Sequence, residues 1–204
     1  MNIQQRALLT FVIVALFGLS GCWTFSLHPL YGDDDPNLAY EPALEGTWKS
    51  GNDDVLLVIT GDSKSREYTL QLVGDDTSNS NSCRDNHSDL AYKGRLVKLG
   101  GSWFLDVVPH GERTAGAISA HNIYKISVQE DSLLLSPLTV DWLCRAQESE
   151  QAAFGQCIDG DFIFTASTDV LRDFVRDHSD DEQSFPTTDD NDGLHRVTKP
   201  GSAE

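Results

Sequence analysis

The sequence predicts a mainly β fold: an antiparallel meander of about eight short strands, with a helix before the last strand and a second, C-terminal helix. Three observations carry this. Between residues 45 and 166, apolar, aromatic and β-branched residues recur in short runs, one of which, residues 68–72, strictly alternates. Turn residues punctuate the runs, most plainly Gly100-Gly101 and Glu130-Asp131. Only two stretches have a helical period.

Residues 46–50 open the meander, and residues 55–60 follow as a dense β-branched run. Tyr68, Leu70 and Leu72 then alternate with Thr69 and Gln71. Residues 90–99 come next, with Gly94 marking a bulge. They turn through Gly100-Gly101 into residues 103–108. Residues 123–128 and 133–138 pair across Glu130-Asp131, and residues 162–166 are the last strand. The first helix is expected over 140–153, holding Trp142, Leu143, Ala146 and Ala153. The second is expected over 169–178, capped by Ser167 or Thr168, with Asp169 favoured by the helix dipole. Val170, Leu171, Phe174 and Val175 form its apolar stripe.

The flanks differ in composition from this domain. Residues 1–6 carry one positive charge, residues 7–19 are apolar, and Leu19-Ser20-Gly21-Cys22 follows, the layout of a secretory signal. The apolar run is too short to span a bilayer, which takes about 20 residues. The expected organisation is a signal over 1–21, a tether over 22–43, a β-rich domain over 44–178 and a disordered acidic tail over 179–204. The tether holds Pro29, Pro36, Pro42 and the run Asp33-Asp34-Asp35, although Tyr31, Leu38 and Tyr40 could fold back on the domain.

The formal net charge of the chain is −17, and loss of Arg6 with the signal makes it −18. Such a chain repels phosphate backbones, which excludes nucleic acid as a partner. Of four cysteines, Cys22 belongs to the signal. Cys144 and Cys157 bracket a short helical connection, and a bridge between them would pin it against the last strand, leaving Cys83 as the spare. No Cys-x-x-Cys occurs.

Candidate chemistry is sparse. His110 and His121 flank the loop 109–120; their imidazoles could approach each other and, with Asp106 or Glu112, ligate a metal, but the spacing matches no zinc motif and they read as exposed loop histidines. Residues 189–193 have the look of a calcium loop, yet Thr188 and Lys199 occupy the positions that need acids. No nucleophile elbow, His-Glu-x-x-His, P-loop or dinucleotide fingerprint is present, so neither an enzyme nor a cofactor is expected.

Leu19-Ser20-Gly21-Cys22 resembles the lipobox of bacterial lipoproteins: an aliphatic residue, two small residues and a cysteine. That resemblance implies cleavage before Cys22 and a diacylglyceryl group on its thiol, the strongest nucleophile available there. Two acyl chains anchor stably where one anchors marginally. In enterobacterial lipoproteins an Asp after the cysteine favours inner-membrane retention; Trp23 stands there instead, which favours the outer membrane if the host has one.

Gly46-Thr47-Trp48 resembles the first-strand signature of lipocalins and other calycins, which implies an eight-stranded antiparallel barrel with a ligand cavity and a helix packed outside. Most of residues 29–185 is also similar to small bacterial lipoproteins without an assigned activity, through residues 42–48, Leu99-Gly100-Gly101, Asp141-Trp142-Leu143 and residues 165–168.

The expectation is therefore a lipid-anchored cell-envelope protein with a barrel-like domain. Either the barrel binds a small apolar ligand, or it is a filled core serving a structural or protein-interaction role. An empty volume of about 300 Å³ or more separates the two. The long connections 74–88, 109–120 and 139–161 alternate with short turns, so they should share one end of the barrel. The tether is expected at the other end, which would face the membrane.

Overall fold

The computed structural model describes residues 23–32, 34–51, 55–74, 91–110, 119–150, 154–186 and 193–197. Eight antiparallel strands close into a barrel: β3 (Gly46–Ser50), β4 (Val55–Asp62), β5 (Glu67–Gly74), β6 (Ala91–Leu99), β7 (Ser102–His110), β8 (Asn122–Val128), β9 (Ser132–Pro137) and β12 (Leu194–Arg196). Seven of them follow the expected meander. Gly100 and Gly101 have φ of 61° and 109°, the left-handed pair a two-residue turn between twisted strands requires.

The eighth strand departs from expectation. Phe162 does not close the barrel. It lies in β11 (Asp161–Phe164), which pairs with β10 (Gly155–Ile158) and, in parallel, with β1 (Thr24–Ser26) to form a separate three-stranded sheet. The closing strand is β12, from the segment expected to be a disordered tail. It bonds to β3 on one side and β9 on the other. Its three residues bury little, so composition alone cannot separate them from a solvated tail.

Arg196 holds this seam. Its guanidinium stacks on the Trp48 ring and donates to the carbonyls of Ala43, Glu45 and Glu130 at 2.7–2.8 Å. Gly46 has φ of 144°, and a Cβ built there would stand 2.4 Å from the Arg196 guanidinium. The glycine and the tryptophan of Gly-x-Trp thus have one cause here: the first leaves room for an arginine that the second supports.

Inward residues repeat with period two. Toward the tight turns they fill the barrel: Trp48, Tyr68, Leu96 and Leu133 are fully buried. Tyr40 stacks on Tyr68 and bonds to Glu45, closing that end. Gly94 marks no bulge, because pairing runs unbroken through it to Tyr68 and Val107. A Cβ there would meet Leu70 at 2.9 Å and Leu105 at 3.2 Å, so the glycine makes room for two core leucines.

A second core lies outside the barrel. Val97, Leu99, Phe104 and Ile123 point outward against Leu30, the three-stranded sheet, α1 (Val140–Glu150) and α2 (Thr168–Asp177). Phe154, Phe162, Phe164 and Phe174 pack here with ring centroids 4.7–5.9 Å apart. Leu171 and Val175 carry the buried face of α2, whereas Val170, expected in its stripe, is exposed. Ser167 occupies the N-cap without a side-chain bond, and the Thr168 hydroxyl donates instead to the Pro29 carbonyl. Cys144 of α1 and Cys157 of β10 form a disulfide with α-carbons 5.9 Å apart.

Candidate functional site

The residues expected to be a tether instead run along the barrel wall. β1 starts beside the long connections, where Ser26 and His121 exchange backbone bonds at 2.8 and 2.9 Å. The chain then descends to the tight-turn end, where β2 (Leu38–Ala39) extends the edge of β6 at Leu96 and Val97. Two buried carboxylates fasten it. Asp106 of β7 accepts from the Leu30 amide at 2.6 Å and pairs with His121 Nδ1 at 2.6 Å. Asp35 accepts from the Asn37 amide and side chain and from Arg172 of α2 at 2.6 Å. Burial works against ionising Asp35, but these hydrogen bonds and the arginine outweigh it and hold the carboxyl below its ordinary value.

The strand ends joined by residues 75–90 and by residues 111–118 lie at one end of the barrel, as the antiparallel pairing of successive strands requires, and β9 also ends there; but residues 139–161 lead to β11 in the separate sheet and not to a barrel strand. The expected position of the N-terminal segment needs correction. Trp23, one residue after Cys22, sits at that same long-loop end. Its amide donates to the Asp161 carboxylate at 2.7 Å, and its carbonyl accepts from the Phe162 amide at 2.8 Å.

An apolar cavity of about 240 Å³ occupies this end of the barrel. Leu57, Leu70, Leu72, Leu105, Val107 and Leu135 form its walls. Tyr92 and Tyr124 complete them; burial raises both phenols, most strongly Tyr124, where Tyr92 adds to it. Those hydroxyls stay protonated at neutral pH and the lining is uncharged. Pro109, Asn122, Trp23 and Phe25 border the cavity toward the loops. Trp23 and Phe25 stack with ring centroids 5.9 Å apart. The Asn122 side chain is engaged with the Thr24 carbonyl at 3.1 Å. The volume falls between the filled barrel and the roomy pocket posed from sequence: one half of the interior is packed and the other is not.

Asp106 meets His121, but as a latch for the N-terminal segment, while His110 is exposed at the end of β7. Among the described residues no group of three ligating side chains could hold a metal ion. Glu112, Cys83, Cys22 and the 189–192 stretch lie outside the described residues.

Trp23 and Phe25 are the site residues that sequence reasoning missed. Their signal was available: Trp23, Phe25 and Leu27 alternate with Thr24 and Ser26, a five-residue strand pattern overshadowed by the neighbouring prolines and aspartates. No helix among the described residues is long and apolar enough to cross a membrane. Comparison with protein-family models, curated proteins and solved structures finds no match.

Proposed function

We propose that this chain is a cell-envelope lipoprotein, anchored through acyl groups on Cys22, whose barrel binds a small apolar ligand without transforming it. The cavity at the long-loop end carries the binding half of this reading. Its walls are almost wholly aliphatic and aromatic, its volume exceeds the roughly 150 Å³ known to hold a benzene, and two aromatic side chains from outside the barrel border it. The lipobox pattern, with its charge and apolar run in place, carries the anchoring half. Absence of an aspartate after Cys22 favours the outer membrane where the host has one.

Native mass spectrometry of the mature protein from its membrane tests the first half. A co-purified small mass, released on unfolding, is expected, and it should be lost when Leu135→Phe fills the cavity. A protein that always travels empty would favour the second reading, a structural or protein-interaction lipoprotein, to which the packed tight-turn half of the barrel is suited. Metabolic labelling with palmitate tests the anchor. Label should enter the wild type and not Cys22→Ala, whose precursor should stay uncleaved; equal labelling would end the lipoprotein reading.

A further inference from the structure

We propose that the cavity is the resting place of an acyl chain carried by Cys22 itself, so that the barrel shelters part of its own membrane anchor. This rests on the lipoprotein reading above and names the occupant of the same site.

Four observations lead to it. The backbone of Trp23 is fixed on both sides, by Asp161 and by the amide of Phe162, so residue 23 is a pinned point at the cavity border. Residue 22 is one peptide bond away, about 3.8 Å between α-carbons. A group attached at Cys22 therefore starts beside the cavity. Second, the lining offers no charge, and its one amide, Asn122, is already engaged with Thr24. This suits methylenes and suits neither a phosphate nor a sugar. Third, about 240 Å³ is small against the 300–1,000 Å³ of pockets that enclose whole ligands. It fits the end of one slender chain, with the rest outside. Fourth, a tethered occupant competes at the high effective concentration of an intramolecular partner, whereas a free lipid must leave the bilayer entirely.

The arrangement has two states. With both chains of the diacylglyceryl group in the bilayer, the protein is held stably. With one chain in the barrel, the remaining chain gives only the marginal, reversible hold of a single acyl group. The cavity thereby sets how firmly the protein is held.

Photo-crosslinking of the full chain in cells tests this directly. Cells are fed palmitate bearing a diazirine near its methyl end, irradiated, and the purified protein is mapped by mass spectrometry. The expected result is an intramolecular cross-link from the Cys22 acyl group to peptides containing Tyr92, Leu105 or Tyr124. It should be lost in Leu135→Phe and, independently, in Leu57→Phe, with labelling of Cys22 unchanged. Cross-links to the same peptides from labelled lipid not attached to Cys22 would overturn self-occupancy and leave the ligand-binding reading standing. So would an unlinked lining together with a co-purified small molecule in native mass spectrometry. An unlinked lining and no co-purified mass would defeat both.

Discussion

The guanidinium carbon of Arg196 lies 4.2 Å from the centre of the Trp48 ring, joining the last strand of the barrel to the first. The contact is a cation–π stack, worth about 0.5–2 kcal/mol. The same side chain makes three charge-assisted bonds to carbonyls, which contribute more. Arg196→Ala should therefore destabilise the domain by about 3 kcal/mol in urea unfolding. Arg196→Lys should recover less than half of that loss, because a point charge cannot serve three carbonyls and a ring at once. Gly46→Ala should mimic Arg196→Ala by displacing the guanidinium. If all three variants unfold with the wild type, the seam does not hold the barrel.

Removing Asp35 should loosen the N-terminal segment. The carboxylate is buried and its partner Arg172 is only partly exposed, so Asp35→Ala should cost about 3 kcal/mol, the low end for a broken buried pair. The folded pKa lies below the ordinary 3.8, so this contribution is present above that value and is lost as pH falls through the folded one. Acid titration followed by limited proteolysis should release residues 23–38 from the wild type only at the acid extreme. Asp35→Ala should release them already at neutral pH.

Alkali should act through tyrosines. Burial pushes Tyr68 up to about 12, the bond to Glu45 pushes Tyr40 up to about 12, and Tyr124 rises through burial and its neighbour Tyr92. A raised folded pKa gives stability that is fully present below the unfolded value of 10.0 and declines as pH rises through the folded one. Phenolate absorbance should lag behind that of free tyrosine and then appear together with loss of β structure. Smooth ionisation of all of them near pH 10 in a folded protein would contradict the burial of Tyr68 and Tyr124 and the Tyr40–Glu45 bond.

The Cys144–Cys157 bridge closes a loop with a sequence separation of 13. In the chain-entropy account a loop of that size contributes about 3 kcal/mol. Reduction, or paired replacement by alanine, should lower the unfolding midpoint accordingly while leaving the barrel strands intact by circular dichroism. Peptide mapping that pairs Cys83 with either cysteine in the native protein would refute the assignment.

Gly94→Ala should reach the cavity from below. The new methyl would press on Leu70 and Leu105, and the free volume is where those side chains can go. The stability cost should be about 1 kcal/mol, small for overpacking, with a measurable loss of cavity occupancy. A cost well above about 3 kcal/mol would mean that the space is not available to them.

Apolar, β-branched runs between turn residues make the seven consecutive barrel strands legible, and in one of them Tyr68, Leu70 and Leu72 repeat at period two on one face. Patterning records which face is buried and not what covers it. Phe162 and Phe164 therefore read as a strand of the barrel, while their sheet is the separate one with β1 and β10. β12 was out of reach because one leucine, one histidine and one arginine carry no alternation worth reading, and the worth of Arg196 exists only beside Trp48. The cavity was not legible either. Its walls are ordinary barrel residues, and its border depends on Trp23 and Phe25 crossing from a segment whose prolines pointed to an extended linker.

The seam between β3 and β12 also ties the barrel to the direction in which the polypeptide is made. Two of the three carbonyls that Arg196 binds, those of Glu45 and Ala43, lie 151 and 153 residues upstream of it. Doubling a loop adds only about 0.6 kcal/mol of closure entropy, so a connection this long is thermodynamically mild, but contacts so distant in sequence form late. While residues 194–196 are still on the ribosome, β3 and β9 each keep a bare edge on the side where β12 will pair. The nascent chain is thus an unsealed sheet until residues 194–196 have emerged and paired. An unsealed sheet is easier to pull straight than a closed cylinder, so the chain resists unfolding least before β12 is in place.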